Sequence, residues 1–365
     1  MRTHCIAPSS PGRIRPRPWS CGGGASRPSG KRRSGCTHGR ARREQGVRSP
    51  GGEESVVRVL VTGAEGYVGR AVVAALRSSG FQPVAMVRRR PTATSEAVRE
   101  LPTECTDIRI AELLDAAAVR EAVESVDAVC HLAGLGRARE SLTDPLRYFR
   151  VNTGGTVTLL EAMADAGVRR IVLASTASIY GSPELQPMGE ALPDAPPHPY
   201  ASSKLAAELA VEAQASTGRL AAAVLRLSNI AGGADPDPTR LIPRALAAAL
   251  DGTPLTINGD GTAVRDYLHV RDAATAFVAA LEHLPLRGPS RRYNIGSGKG
   301  SSVLDVAAAV ERVTGRRVPL VHGPAVPEPR TLIIDPGRAV GEIDWAPRAS
   351  DLDTLVQDCW EQRRR

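Results

Sequence analysis

One eleven-residue stretch constrains this chain more than any other: Val59-Leu60-Val61-Thr62-Gly63-Ala64-Glu65-Gly66-Tyr67-Val68-Gly69. A short apolar run, a glycine turn and an alanine-rich helical stretch follow one another. The glycines fall as G-x-x-G-x-x-G at Gly63, Gly66 and Gly69. Glycine lets the backbone approach a pyrophosphate, and the N-terminus of the next helix offers free N–H groups and the positive end of its dipole. A tight βα turn with no ligand is the plain alternative. The strand before and the helix after favour a dinucleotide.

Apolar runs at 57–62, 83–88, 107–110, 126–131, 169–174 and 220–227 read as strands. Helical stretches at 67–79, 115–124, 144–166 and 199–217 alternate with them. Short βα spacing of this kind predicts a parallel sheet with helices on both faces and ligands at the carboxyl ends of the strands. From about residue 228 the rhythm changes. A Pro- and Asp-rich loop at 234–238 precedes a helix at 240–251. Extended pieces around 255–257, 265–268 and 293–295 then mix with helices at 271–283, 302–314 and 351–363. The expected fold class is α/β: a Rossmann-type doubly wound parallel sheet, mainly over 55–227, with a smaller C-terminal substrate-binding lobe, mainly over 228–365. The run Gly296-Ser297-Gly298-Lys299-Gly300-Ser301 imitates a phosphate loop but lacks the G-K-[ST] order, and reads as a turn into the next helix.

The net charge of +8 belongs to one end of the chain. Residues 1–54 hold eleven arginines and one lysine against three glutamates, a net of +9, which leaves the body at −1. A body without basic excess and with few aromatics is not expected to bind nucleic acid. Residues 1–54 are rich in Arg, Gly, Ser and Pro and are expected to be a disordered basic tail. A transit segment is a second reading of that tail; upstream sequence joined by a mis-assigned start is the third, and the one favoured here. The six cysteines show no C-x-x-C spacing, so no metal site or redox motif is expected. No apolar run approaches the ~20 residues of a membrane span. A cytoplasmic protein away from the membrane is the expectation.

Only three lysines occur, Lys31, Lys204 and Lys299, in a chain that otherwise carries positive charge on arginine. Lys204 stands four residues after Tyr200. On a helix that spacing puts both side chains on one face. A phenol ionises near pH ~10, and a neighbouring ammonium favours the phenolate. Taken alone the pair is a weak signal, and a chance surface pair is its alternative.

The motifs taken in order resemble the extended short-chain dehydrogenase/reductase superfamily, within it the NAD-dependent epimerase/dehydratase family and most of all its UDP-glucose 4-epimerases. After the glycine turn come His131-Leu132-Ala133-Gly134, Val151-Asn152-Thr153, Ala174-Ser175-Thr176-Ala177-Ser178-Ile179-Tyr180-Gly181, Pro199-Tyr200-Ala201-Ser202-Ser203-Lys204, Leu225-Arg226-Leu227-Ser228-Asn229 and Val264-Arg265-Asp266-Tyr267-Leu268-His269-Val270. The resemblance spans about residues 57–360. It implies catalysis by Thr176, Tyr200 and Lys204, with Tyr200 as general base and Thr176 bonded to the reacting oxygen. It implies a cofactor held by Gly63, Gly66, Tyr67, Val68, Gly69, Arg88, Glu112, Leu113, Leu132, Ala133, Gly134 and Asn152 together with Tyr200 and Lys204. Thr176, Asn229 and Arg265 would meet the substrate, a nucleotide sugar. Hydride would pass from the sugar to NAD and return to its other face. The helices at 144–166 and 199–217 match those that pair in the family's dimers, so a homodimer is implied.

This chain departs from the family at several positions. Ala177 and Ser178 stand where related dehydratases place Asp-Glu, which argues against water elimination. Arg88 stands where NAD users end strand two with an acid. An arginine there can pair with a 2′-phosphate, which keeps NADP open as cofactor, and with it an NADP-dependent sugar or carbonyl reductase. Glu112 replaces an Asp near the adenine, Gly136 a frequent Lys, and Ala325 an arginine that binds the substrate's diphosphate, with Glu328 after it for an Asp. A catalytically silent dinucleotide sensor is a third reading. It fits least, because sensors of this fold commonly lose the Tyr–Lys pair.

Overall fold

Arg58–Thr62 (β1) lies inside a seven-stranded, wholly parallel sheet. The computed structural model describes residues 56–88, 105, 107–284 and 289–364, so the expectations for the basic tail lie outside the described residues. Gln82–Val87 (β2) flanks β1 on one side and Ala128–His131 (β4) on the other. Ile108–Ile110 (β3), Arg170–Thr176 (β5), Ala221–Leu227 (β6) and Arg291–Ile295 (β10) complete the order β3-β2-β1-β4-β5-β6-β10. The winding reverses between β1 and β4, which opens a crevice above their carboxyl ends.

Successive residues of a strand face opposite sides of its sheet. In β1, Val59 and Val61 pack into the core on one face and Leu60 into the core on the other. The first face is covered by Tyr67–Ser78 (α1) and Val270–His283 (α6). The second is covered by Ala116–Ala122 (α2), Gly155–Asp165 (α3) and Pro199–Ser216 (α4). Both sides are buried, which is why the strands read as nearly continuous apolar runs rather than alternating ones. In α4, His198 caps the start by accepting from Ala201 N at 3.1 Å, and Pro199 occupies the first turn, where its missing N–H costs nothing.

A smaller lobe holds Asn229–Ala231 (β7), Leu255–Asn258 (β8), Val264–His269 (β9), Gly300–Ser302 (β11), Leu320–Gly323 (β12) and Thr331–Leu332 (β13). Its helices Leu241–Asp251 (α5), Val303–Thr314 (α7) and Leu352–Arg364 (α8) share one core around Ile242, Leu246, Val306, Val310 and Leu355.

Two assignments made from sequence need correction. The segment around 293–295, read as part of the smaller lobe, is the edge strand β10 of the main sheet, and α6 packs on that sheet as well. Their local pattern is that of any buried strand or helix, and only the register against β6 says which sheet they join. The stretch 144–166 is not one regular helix: it runs as Pro145–Tyr148, a π-helical Phe149–Gly154, and then α3. The glycine-rich run at 296–301, expected as a turn into the next helix, is irregular over 296–299 and then enters β11, which pairs antiparallel with β9 before α7 begins. The Asp266 carboxylate clasps it by accepting from Ser297 N at 2.8 Å and Gly298 N at 3.1 Å. Among the described residues no helix is long and apolar enough to cross a membrane.

Candidate active site

A cleft of about 620 Å³ opens at the carboxyl ends of the strands, lined from the main sheet by the glycine turn and Tyr200 and from the smaller lobe by Asn229, Arg240 and Arg265. The glycine turn forms its floor. Gly63 has a φ of +70°, a left-handed conformation that suits glycine. At Gly69 the reason is space: a Cβ would lie 2.1 Å from Gly63 O. The helix α1 therefore starts close against β1, and its cap residue Gly66 leaves the first turn's N–H groups without a side-chain partner. The close-packed glycine backbone and the N–H groups at the start of α1, which have no side-chain cap, fit a dinucleotide pyrophosphate.

Buried hydrogen bonds set the floor's shape. Thr62, the last residue of β1, accepts from Leu132 N at 3.2 Å and Ala133 N at 3.1 Å. Its hydroxyl is thereby left to donate to His131 Nδ1 at 2.7 Å. His131 then carries its proton on Nε2 and donates to Thr156 Oγ1 at 3.0 Å, and Thr156 donates to Asn152 O at 2.6 Å. Burial, and secondarily the charge of Lys204, holds His131 down to about 3, so the ring is neutral. Asn152 sits in the π-helical turn. Its Oδ1 accepts from Leu135 N at 2.7 Å and its Nδ2 donates to Leu135 O at 3.1 Å and Ser203 Oγ at 2.9 Å. Ser203 Oγ also donates to Tyr200 O at 2.8 Å. The chain from Thr62 to Ser203 thus ties the glycine turn to the helix that bears the Tyr–Lys pair.

Thr176 ends β5 and Tyr200 lies in the first turn of α4, and both side chains line the cleft. Thr176 Oγ1 donates to Ser178 Oγ at 3.1 Å and accepts from Ser178 N at 3.2 Å. The Tyr200 ring stacks on His198 with centroids 5.8 Å apart and meets Tyr148 edge-on at 6.3 Å. Lys204 is buried, with an exposure of 7%. Burial pulls its ammonium down to about 8 against the opposing pull of Glu208. The phenol of Tyr200 is raised above its ordinary value, first by burial, with Thr176 and the charge of Arg240 acting the other way. The sequence led us to expect a lowered phenol beside Lys204. In this structure desolvation of the ring outweighs the stabilising groups.

The cleft also gathers Gly63, Gly66, Tyr67, Val68, Gly69, Leu132, Gly134, Thr176, Lys204 and Tyr267. Tyr67 donates to Gly232 O across the mouth, and burial raises its phenol well above the ordinary range. Five predicted cofactor residues do not line the cleft. Ala133 acts through its N–H on Thr62, and Asn152 through the bonds above. Leu113 is buried in the core beneath α3. Glu112 is exposed and accepts from Leu113 N at 3.2 Å. Arg88, 71% exposed, points to Glu65 with Nε 3.2 Å from its carboxylate. On the substrate side, Arg265 donates to Glu328 at 2.7 Å and to Pro329 O at 2.8 Å. Sequence reasoning missed Thr62, His131, Thr156, Ser203, Glu208 and Arg240 as members of the site. Thr62, His131 and Ser203 lie within the motifs quoted above, and Glu208 stands four residues after Lys204; Thr156 and Arg240 carried no such signal.

The model of the NAD dependent epimerase/dehydratase family matches residues 59–296. A UDP-glucose 4-epimerase of Azospirillum brasilense is 38% identical over 324 residues, covering 84% of this chain and 92% of that protein. A UDP-glucose-4-epimerase of Stenotrophomonas maltophila, solved with bound NAD and formylated UDP-arabinopyranose, superposes with a TM-score of 0.78 at 32% identity over 84% of this chain and 98% of that one. A UDP-glucose 4-epimerase of Brucella ovis in complex with NAD gives 0.77 at 33% identity, with the same coverage of both chains.

Proposed function

The chain belongs to the NAD-dependent epimerase/dehydratase family, and from that premise we propose that it is a nucleotide-sugar 4-epimerase, acting on a UDP-sugar with NAD as its cofactor. The meeting of Tyr200, Thr176 and Lys204 with the glycine turn in one cleft carries this reading. NAD, when bound, supplies a reversible hydride acceptor beside the sugar carbon. Gly63, Gly66 and Gly69, with Tyr67 and Val68, hold its pyrophosphate. Leu132, Ala133, Gly134, Tyr200 and Lys204 hold the nicotinamide end, with Asn152 positioning them. Glu112, Leu113 and Arg88 belong to the adenosine end.

Tyr200 takes the proton of the sugar's 4-hydroxyl and returns it to the same oxygen after the sugar has turned over. Thr176 hydrogen-bonds that oxygen and the phenol in turn. The Lys204 ammonium supports the phenolate against the burial that disfavours it. Asn229 and Arg265 meet the nucleotide diphosphate. Ala177 and Ser178 put no carboxylate beside the sugar, which supports epimerisation over water elimination. The NADP-dependent reductase rested on Arg88, whose guanidinium is engaged with Glu65, and the solved relatives carry NAD.

The test is to purify residues 55–365 without added cofactor, denature them, and identify the released nucleotide, then to offer UDP-glucose. Bound NAD and appearance of UDP-galactose are expected. An empty protein that binds NADPH over NADH and reduces a carbonyl would overturn the proposal. We also take the protein to be a cytoplasmic homodimer. Support comes from the buried free thiols of Cys105, Cys130 and Cys359, and from the exposed apolar side chains Leu146, Phe149, Val157 and Leu209 around α3 and α4. Light scattering at micromolar concentration checks the dimer; a monomer there would refute it.

A further inference from the structure

Helix α4 carries a third ionisable group, Glu208, one turn beyond Lys204 and fully buried. Its carboxylate accepts from the Ser175 hydroxyl of β5. It also accepts from Arg226 of β6, at 3.1 Å from Nε and 2.7 Å from Nη2, and lies 3.4 Å from Arg292 Nε of β10. Arg226 is itself fully buried, lies over the Tyr180 ring at 4.6 Å, and reaches Asp194 at 2.7 Å. Arg292 reaches Glu212 at 3.0 Å and Asp194 at 3.9 Å. Three adjacent strands thus send side chains to one carboxylate, directly behind the strand end that bears Thr176.

Burying such a cluster is costly, and well-packed apolar residues of the same volume often serve stability as well or better. The groups around Lys204 suggest what the cluster does. From β4 comes His131, a neutral ring whose proton sits on the nitrogen facing Thr156. From the π-helical turn comes Asn152, and from β5 the hydroxyls of Ser175 and Thr176, all uncharged. Tyr200 shares the helix face. Behind them stand the two cations Arg226 and Arg292. Glu208, one turn along the helix, is the anion that acts on Lys204 against its burial, and its carboxylate is held by those two cations.

We propose that Glu208 is a positioning residue for the epimerisation: its buried carboxylate, one turn along the same helix, keeps Lys204 an ammonium, and Ser175 locks that carboxylate to the strand bearing Thr176. The proposal rests on the reading that Lys204 works with Tyr200. Burial already holds Lys204 at about 8 with Glu208 in place. Loss of the anion moves it further down, so at neutral pH the lysine gives up its proton and no longer supports the phenolate.

Because the chain has only three lysines, the titration of Lys204 can be read directly in the full-length protein carrying ¹³Cε/¹⁵Nζ-labelled lysine, with Lys204→Met identifying its signal. In Glu208→Gln the midpoint of Lys204 should fall by about one to three pH units. The basic limb of the epimerisation rate profile should move down with it, while Glu208→Asp keeps both near their original places. Should Glu208→Gln fail to fold, the double variant Glu208→Gln/Arg226→Met removes both buried charges, and a smaller fall in the same direction is expected. A folded variant without the carboxylate in which Lys204 titrates at its original midpoint overturns the proposal. An equal fall in Glu208→Asp does so too, because then shape and not charge is at work. Absence of UDP-sugar turnover in the unaltered protein would instead refute the assigned function, and the lysine titration is read without any substrate.

Discussion

On the cofactor side of the cleft, between β1 and β4, the shape is set by backbone. Gly69 closes on Gly63 at a distance no side chain tolerates, and Thr62 gathers the N–H groups of Leu132 and Ala133 onto one hydroxyl. On the substrate side, along β7 and β9, the shape is set by side chains that bond one another. Arg265 is shared between Glu328 and a carbonyl, and Arg240 lies near Asp235 and over the Tyr67 ring. The first region is built to one geometry and admits few residue types. The second can exchange one charge for another, and it is here that Ala325 and Glu328 depart from the family's pattern. On the cofactor side the departures from that pattern, Arg88 and Glu112, are exposed residues off the cleft.

The comparison can be pressed at four points. Tyr200→Phe should have the largest effect, a loss of roughly 10²–10⁴-fold in turnover, since the proton carrier is removed. A variant that keeps near-normal turnover would sever Tyr200 from the chemistry. Gly69→Ala comes next. Its Cβ has nowhere to go, and about 1–3 kcal/mol of stability should be lost together with bound NAD, seen in thermal denaturation and in the nucleotide released.

Arg265→Ala tests the other side. It should raise KM for the UDP-sugar by an amount equivalent to about 1.5–3 kcal/mol and leave NAD content alone. A loss of NAD in this variant would break the division into two regions. The fourth test concerns acid. His131 is neutral in the fold at about 3 but titrates near 6.5 when unfolded, so the unfolded chain binds more protons between those values. Stability is therefore full above about 6.5 and falls as pH drops toward 3, by up to about 1.4 kcal/mol per pH unit from this group. His131→Gln should flatten that slope in denaturant titrations at pH 4–6; an unchanged slope would place the acid sensitivity elsewhere.

The sequence carried the strand–turn–helix start, the alternation that made a parallel sheet, and the Tyr-x-x-x-Lys pair. Each is a local pattern with a local cause: glycine where backbone must approach backbone, apolar runs where both faces are covered, two side chains on one helical face. It did not carry the break of the 144–166 helix, because a π-helical turn arises from how Asn152 must meet Leu135 and Ser203. Nor did it carry the sheet that β10 joins, or the direction of the Tyr200 shift, since both depend on what lies against a residue. From the sequence Arg88 could pair with a 2′-phosphate, and its place against Glu65 was not legible there. By itself the sequence determined which residues could do the chemistry. The tertiary structure alone decided which of them meet, how deeply each is buried, and that a buried carboxylate on α4, one turn from Lys204, is held by a serine and two arginines, because burial and charge are properties of neighbours that the chain brings together only by folding.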